Sequence, residues 1–94
     1  MQIKELRNGM RGVDVEGVIK ELGKTRNVVT MYGPAKVMNA VLEDDTGRII
    51  LSLWNDDIEK VSVGDKVRIE NGYVTSFRGR LQLNVGRRGK ITVL

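Results

Sequence analysis

Apolar and polar residues alternate along most of this chain, and Gly, Asn and Asp interrupt the alternation at intervals. A period of two marks a strand with one face against a core, so the chain reads as a succession of short strands. Val63–Val85 carries the signal most fully. Val67, Arg68, Ile69 and Glu70 alternate, and then Asn71 and Gly72, a pair tolerant of positive φ, fall inside the strand pattern, where a β-bulge is expected. One extra residue reverses the parity of everything after it. Without the bulge Tyr73 and Phe77 share the inward face of Val67 and Ile69; with it they point outward beside Thr75.

The remaining elements follow in order. Ile3, Leu6 and Met10 stand at roughly helical spacing and predict a short turn or helix that caps the core. Val13–Leu22 begins as a strand, changes parity at Gly17 and predicts a bent strand serving two parts of a barrel. Gly23–Lys36 is the longest candidate loop, with Val28–Met31 extending the strands on either side. In Val37–Asp44 one face carries Met38, Ala40 and Leu42, and Asp45-Thr46-Gly47 makes a hairpin turn. Arg48–Trp54 has the clearest parity, with Ile49, Leu51 and Leu53 on one face and Trp54 on the other. Asn55–Lys60 predicts a helical turn with Asn55 as N-cap and Asp56 and Asp57 in its first turn. Gly64-Asp65 and Arg78-Gly79 are turns, Leu81–Val85 is a strand, Gly86–Gly89 is a basic loop and Lys90–Leu94 is a short closing strand. Five or six strands with one small helix fit an all-β fold: a five-stranded Greek-key barrel with a short helix between strands 3 and 4.

Composition narrows the chemistry. The 94 residues form one domain spanning 1–94, with neither Cys nor His. These absences remove the disulfide framework, the thiol nucleophile, the usual metal ligands and the commonest general base, so neither an enzyme nor a metal or cofactor site is expected. Asp44-Asp45 and Asp56-Asp57 sit beside a turn and a helix start, which account for them without a nuclease centre. Apolar runs such as Ile49–Leu51 are too short to span a bilayer and the N-terminus lacks the apolar core of a signal peptide, so a cytoplasmic location is expected.

Charge is uneven. Residues 1–60 hold nine Lys/Arg and ten Asp/Glu, whereas residues 61–94 hold seven and two, so the excess behind the net charge of +4 lies in the last third. Arg78, Arg80, Arg87, Arg88 and Lys90 fall within thirteen positions, which points to a polyanionic partner or to a solvated basic face. Of only four aromatic residues, Trp54, Tyr73 and Phe77 each have a parity or bulge argument for facing outward, and Tyr32 lies in the loop. A core of Val, Ile, Leu and Met leaves those rings free to stack on bases, at about 1–3 kcal/mol per base.

The run DDTGRIILSLWNDD followed by VGDKVRIENGYVTSFRGRLQLNVGRRGKI resembles the simple, single-OB-fold single-stranded DNA-binding proteins of archaea. Their eukaryotic relatives are the B subunits of the sensor-of-single-stranded-DNA complexes, and the OB folds of replication protein A share the architecture more loosely. The likeness runs from about Leu6 to Ile91. It implies an OB fold in which bases stack on Trp54, Tyr73 and Phe77, with phosphates contacted by Arg78, Arg80 and the Arg87-Arg88 loop. From the chain itself, Lys24 and Arg26 in the long loop are expected to contribute from the opposite side of the groove, and Tyr32 either contacts nucleic acid from that loop or packs within it. Two departures stand out. Many members continue into a Gly-rich or acidic tail that recruits other proteins, whereas this sequence stops at Leu94, and Asn84 stands where some relatives place another aromatic.

Sequence and resemblance together lead to a non-enzymatic, nucleoid-associated protein that binds single-stranded DNA with little sequence preference, in replication, recombination or repair. Two alternatives stay open: an OB module that docks on replication or repair proteins through the same aromatics, and an OB domain that binds RNA.

Overall fold

A computed structural model describes all 94 residues. Its strands are β1 (Val13–Leu22), β2 (Arg26–Thr30), β3 (Gly33–Asp44), β4 (Gly47–Trp54), β5 (Lys66–Phe77), β6 (Arg80–Asn84) and β7 (Lys90–Val93). Five of them close a ring in the order β1-β3-β4-β6-β5 and back to β1, with every contact antiparallel except that between β4 and β6. The two additional strands lie outside the ring, β2 against β3 and β7 against β5. Ring closure removes the open edges that a flat sheet of these strands would present.

One long strand makes that closure possible. β1 pairs with β5 through Val13–Val18 and with β3 through Val18–Leu22, so Val18 faces a partner on each side of the bend. Gly17 is required just before it: a Cβ there would stand 2.7 Å from the Glu43 carbonyl oxygen, closer than any side chain tolerates. The expected bent strand is thus present, and its glycine works by close approach.

The core is aliphatic. Eighteen buried hydrophobic side chains form one cluster, among them Leu6, Val15, Ile19, Leu42, Leu51, Leu53, Ile69 and Leu83, and no aromatic ring belongs to it. The N-terminal segment closes one end as a 3-10 turn at Ile3–Glu5, with Ile3 and Leu6 buried. That turn is tied down by Ile3 N–H, which donates to Asp44 Oδ2 at 2.9 Å, and by Lys4 N–H, which donates to Thr46 Oγ1 at 3.1 Å.

Two expectations are corrected. The stretch Gly23–Lys36 is mostly a β-hairpin: Arg26–Thr30 pairs residue for residue with Gly33–Val37 around a tip at Met31 and Tyr32, and Gly33 takes φ 104° to complete the turn. The stretch carries Gly23, Asn27, Gly33 and Pro34 and no alternation of the kind that marks a core strand. This hairpin buries no side chain before Val37, so the pattern that reveals buried strands had nothing to register. The helix after β4 is a 3-10 turn over Asn55–Lys60 whose N-cap position is Trp54 and not Asn55. Asn55 itself sits at φ 52°, and its Oδ1 accepts a hydrogen bond from Lys36 N–H at 3.0 Å. The amide therefore ties the turn to β3. With β2 counted, this turn falls between β4 and β5, the third and fourth strands of the ring.

Candidate nucleic-acid interface

The bulge lies where the alternation breaks. β1 faces β5 in the register Val15↔Ile69 but Val13↔Gly72, so three residues of β5 span two of β1, and Asn71 adopts φ 55°. Burial follows the changed parity: Val67, Ile69, Gly72 and Val74 point into the ring, whereas Tyr73 is 38% exposed and Phe77 59% exposed. Both rings therefore stand on the outer face.

Pairing across the sheet then builds that face row by row. Asn39, Ser52, Asn84 and Tyr73 lie in one row across β3, β4, β6 and β5, and Val41, Ile50, Gln82 and Thr75 lie in the next. Trp54 on β4 is one step beyond the first row and faces Val37 on β3. The first row is a compact polar floor: Ser52 Oγ donates to Asn39 Oδ1 at 3.1 Å, and Asn84 Nδ2 donates to Thr75 Oγ1 at 3.0 Å. Ser52 and Asn84 are buried although they face outward. Tyr73 ends this row on β5, and Trp54 stands beside it on β4.

One groove of about 850 Å³ gathers much of this chemistry, with Trp54 and Tyr73 on its walls, Tyr32 and Met31 from the hairpin tip, and Gly86 and Arg87 from the loop after β6. Trp54 is half-buried, and its Nε1–H is buried without a hydrogen-bond partner. The Arg87 guanidinium lies over the Tyr32 ring, 4.1 Å from its centroid, and thereby bridges hairpin and loop. A cation over an aromatic face gains from the ring quadrupole. Gly86 permits the approach of Tyr73, since a Cβ at Gly86 would stand 2.8 Å from Tyr73 Cε1.

The other expected residues lie elsewhere. Phe77, Arg78 and Arg80 are at the far end of the same face, where the turn between β5 and β6 places Arg78 at φ 53° and Gly79 at φ 77°. Arg78 stands over the Phe77 ring at 5.2 Å, and Arg80 borders a smaller hollow with Ile50 and Leu81. Tyr73 and Phe77 are separated by four residues, about 13 Å along a strand. Arg88 is exposed in the β6–β7 loop outside the groove lining, and Lys24 and Arg26 lie at the exposed start of the hairpin, also away from the lining.

Most of the other lining residues have no signal in the sequence, but three do. Asn55, Asp56 and Asp57 follow Trp54 directly and line the groove with Lys60. The signal was their adjacency to the tryptophan, which reading them only as a helix start concealed. Asp57 is paired with Lys60 at 3.0 Å, which leaves Asp56 and Arg87 as the charged lining residues without an ion-pair partner. Ion pairs also engage Lys20 and Arg48 with Glu43, and Arg68 with Glu16. Hydrogen bonding from Arg48 is the main cause that holds the Glu43 carboxyl below its ordinary pKa. Arg78, Arg80, Arg87, Arg88 and Lys90 have no carboxylate partner. No group of three or more Asp or Glu is placed to hold a metal ion, and no helix is long and apolar enough to cross a membrane.

Comparison with known proteins matches this architecture. The family model described as single-stranded DNA binding protein Ssb-like, OB fold, matches residues 8–93. The chain is 33% identical over 90 residues to the single-stranded DNA binding protein Ssb of Saccharolobus solfataricus, covering 96% of this chain and 61% of that protein. It is 35% identical over 91 residues to replication factor A of Methanothermobacter thermautotrophicus, covering 96% of this chain but 12% of that protein. The chain thus spans about three fifths of the first relative and about one eighth of the second. Among solved structures, the OB domain of Ta0387 from Thermoplasma acidophilum superposes with a TM-score of 0.86 at 28% identity, covering 100% of this chain and 85% of that one. The replication factor A related protein of Methanobacterium thermoautotrophicum superposes with a TM-score of 0.84 at 27% identity, covering 100% and 89%. With the ring order, the outward-turned rings and a family match over residues 8–93 in agreement, the chain belongs to the Ssb-like, OB-fold family of single-stranded DNA binding proteins.

Proposed function

We propose that this chain binds single-stranded DNA with little sequence preference, as a non-enzymatic OB domain spanning residues 1–94 that acts in the cytoplasm on exposed strands during replication, recombination or repair. Bases stack on Trp54 and Tyr73 in the groove and on Phe77 at the other end of the face, while Arg78, Arg80 and Arg87 pair with phosphates. Tyr32, Arg88, Lys24 and Arg26 add contacts from the hairpin and the loop. The observation that carries this reading is a partition: the core holds no aromatic ring, and Trp54 and Tyr73 instead wall one groove bordered by an unpaired arginine. Stacking accepts any base because each has a π face, and it selects single strands because bases in a duplex are already stacked. The names of the relatives, a single-stranded DNA binding protein and a replication factor, support the same reading.

The test uses the single tryptophan. Titration with a thymidine oligomer is expected to quench Trp54 fluorescence, with the effect weakening as salt rises, and a duplex of equal length is expected to leave it nearly unchanged. Equal response to duplex and single strand would defeat the stacking mechanism. Competition with a uridine oligomer decides between DNA and RNA.

One observation favours a second reading, a module that docks on a replication or repair protein: Val29 and Met31 at the hairpin are 86% and 90% exposed. That reading requires binding of such a partner with weak salt dependence and no fluorescence response to oligonucleotides.

A further inference from the structure

Asn71 acts at two levels. Through its backbone it is the extra residue of β5, at φ 55°, and its N–H donates to Asp14 Oδ1 on β1 at 2.9 Å. Through its side chain it reaches the loop after β6: Nδ2 donates to the Arg88 carbonyl oxygen at 3.1 Å. No other side chain hydrogen-bonds to the Gly86–Gly89 loop, whose remaining internal support is a turn in which Gly89 N–H donates to Gly86 O at 3.0 Å. Packing is close at the same point, since a Cβ on Gly89 would stand 3.3 Å from the Asn71 carbonyl oxygen. This loop carries Arg87, whose guanidinium lies over Tyr32 at 4.1 Å on the opposite bank of the groove.

We infer that Asn71 is a positioning residue of the interface: the bulge that turns Tyr73 outward also holds, through its amide, the loop that sets Arg87 over the groove. This rests on the DNA-binding reading of the same site. Asparagine satisfies both demands. Glycine supplies the positive φ but has no amide, alanine has neither the donor nor an easy left-handed conformation, and aspartate would set an acceptor against the Arg88 carbonyl. Stacking wall and cationic wall are thereby coupled through one residue, so that their spacing is set by the fold rather than by loop motion.

Asn71→Gly separates the two roles, because glycine keeps the bulge and the outward Tyr73 while it deletes the tether. In the free protein, the Arg87 side-chain proton resonances are expected to carry a ring-current shift from Tyr32, whose centroid lies 4.1 Å from the guanidinium; in Asn71→Gly they are expected at ordinary arginine positions. Loss of one positioning hydrogen bond is expected to weaken binding of a thymidine oligomer by about two- to tenfold. It is also expected to reduce the salt slope by about 0.7, the contribution of one phosphate. In an Arg87→Ala background the same substitution is expected to cost nothing further. A ring-current shift retained in Asn71→Gly, or an equal loss of affinity in both backgrounds, would overturn the assignment. If the unaltered protein fails to bind the oligomer, the DNA reading falls, while the resonance comparison still decides whether Asn71 holds the loop.

Discussion

Tyr73 shows how little separates a core residue from one on the outer face of the ring. Its outward direction depends on one additional residue in β5, and its final position depends on the missing side chain of Gly86. A methyl group at Gly86 would meet the edge of the Tyr73 ring at 2.8 Å, and the ring, being partly exposed, can move away. Gly86→Ala is therefore expected to leave the melting temperature within about 2 °C of the unaltered protein, as for other surface changes. The displaced ring is expected to weaken oligonucleotide binding several-fold, read by tryptophan quenching. A large fall in melting temperature would mean instead that the loop itself cannot yield.

Short polar turns fix the elements that carry these residues. Asp44 closes the β3–β4 hairpin: its Oδ1 accepts from Thr46 N–H at 2.7 Å, Thr46 Oγ1 at 2.6 Å and Gly47 N–H at 3.1 Å, while Oδ2 accepts from Ile3 N–H. Burial works against the charged carboxylate, yet these donors outweigh it and lower the pKa below the ordinary value of 3.8. A depressed folded-state pKa adds stability that is complete above the unfolded value and is lost as pH falls through the folded one. Asp44→Asn, which points an NH2 group at donors, is expected to lower stability by about 1–3 kcal/mol at neutral pH. The gap to the unaltered protein should begin to narrow as pH falls below the unfolded value of about 4 and close only below the depressed folded pKa, where both side chains are neutral. Urea unfolding at pH 7, 5 and 3 measures this, and a gap independent of pH would show that charge plays no part. The β2–β3 hairpin is the opposite kind of element. Before Val37 it buries no side chain, so this part leaves no periodicity in the chain, yet it supplies Tyr32 and Met31 to the groove.

Across the whole molecule, closing the ring brings distant parts of the chain together. The parallel contact of β4 with β6 sets Ser52 beside Asn84, and the groove takes walls from the hairpin, the turn after β4, β5 and the β6–β7 loop. Charge is sorted in the same way, because several cations are spent on intramolecular pairs while Arg78, Arg80 and Arg87 stay free on one face. Phosphate contacts from these three arginines are expected to contribute about −2 to the slope of log affinity against log salt, at about −0.7 for each. Alanine at Arg78, Arg80 or Arg87 should each reduce it by one such step. Arg68→Ala should leave it unchanged, since Arg68 pairs with Glu16 at 3.0 Å. Equal effects at Arg68 and at the free arginines would show that net charge, not local pairing, governs binding.

Much of this was present in the order of residues. Alternation marks the core faces of β1, β3, β4 and β5 because burial on one side of a pleat repeats every second residue. Asn71-Gly72 marks the bulge because few other pairs tolerate its backbone. Arg78-Gly79 marks a turn for the same reason. What the sequence could not decide is which loops meet. The contact of Arg87 with Tyr32, the tether from Asn71 to Arg88 and the entry of Asp56 into the groove join residues that local pattern leaves unrelated. Pairing in a closed ring determines those distances, since a groove bounded by loops has no periodicity of its own to leave in the chain.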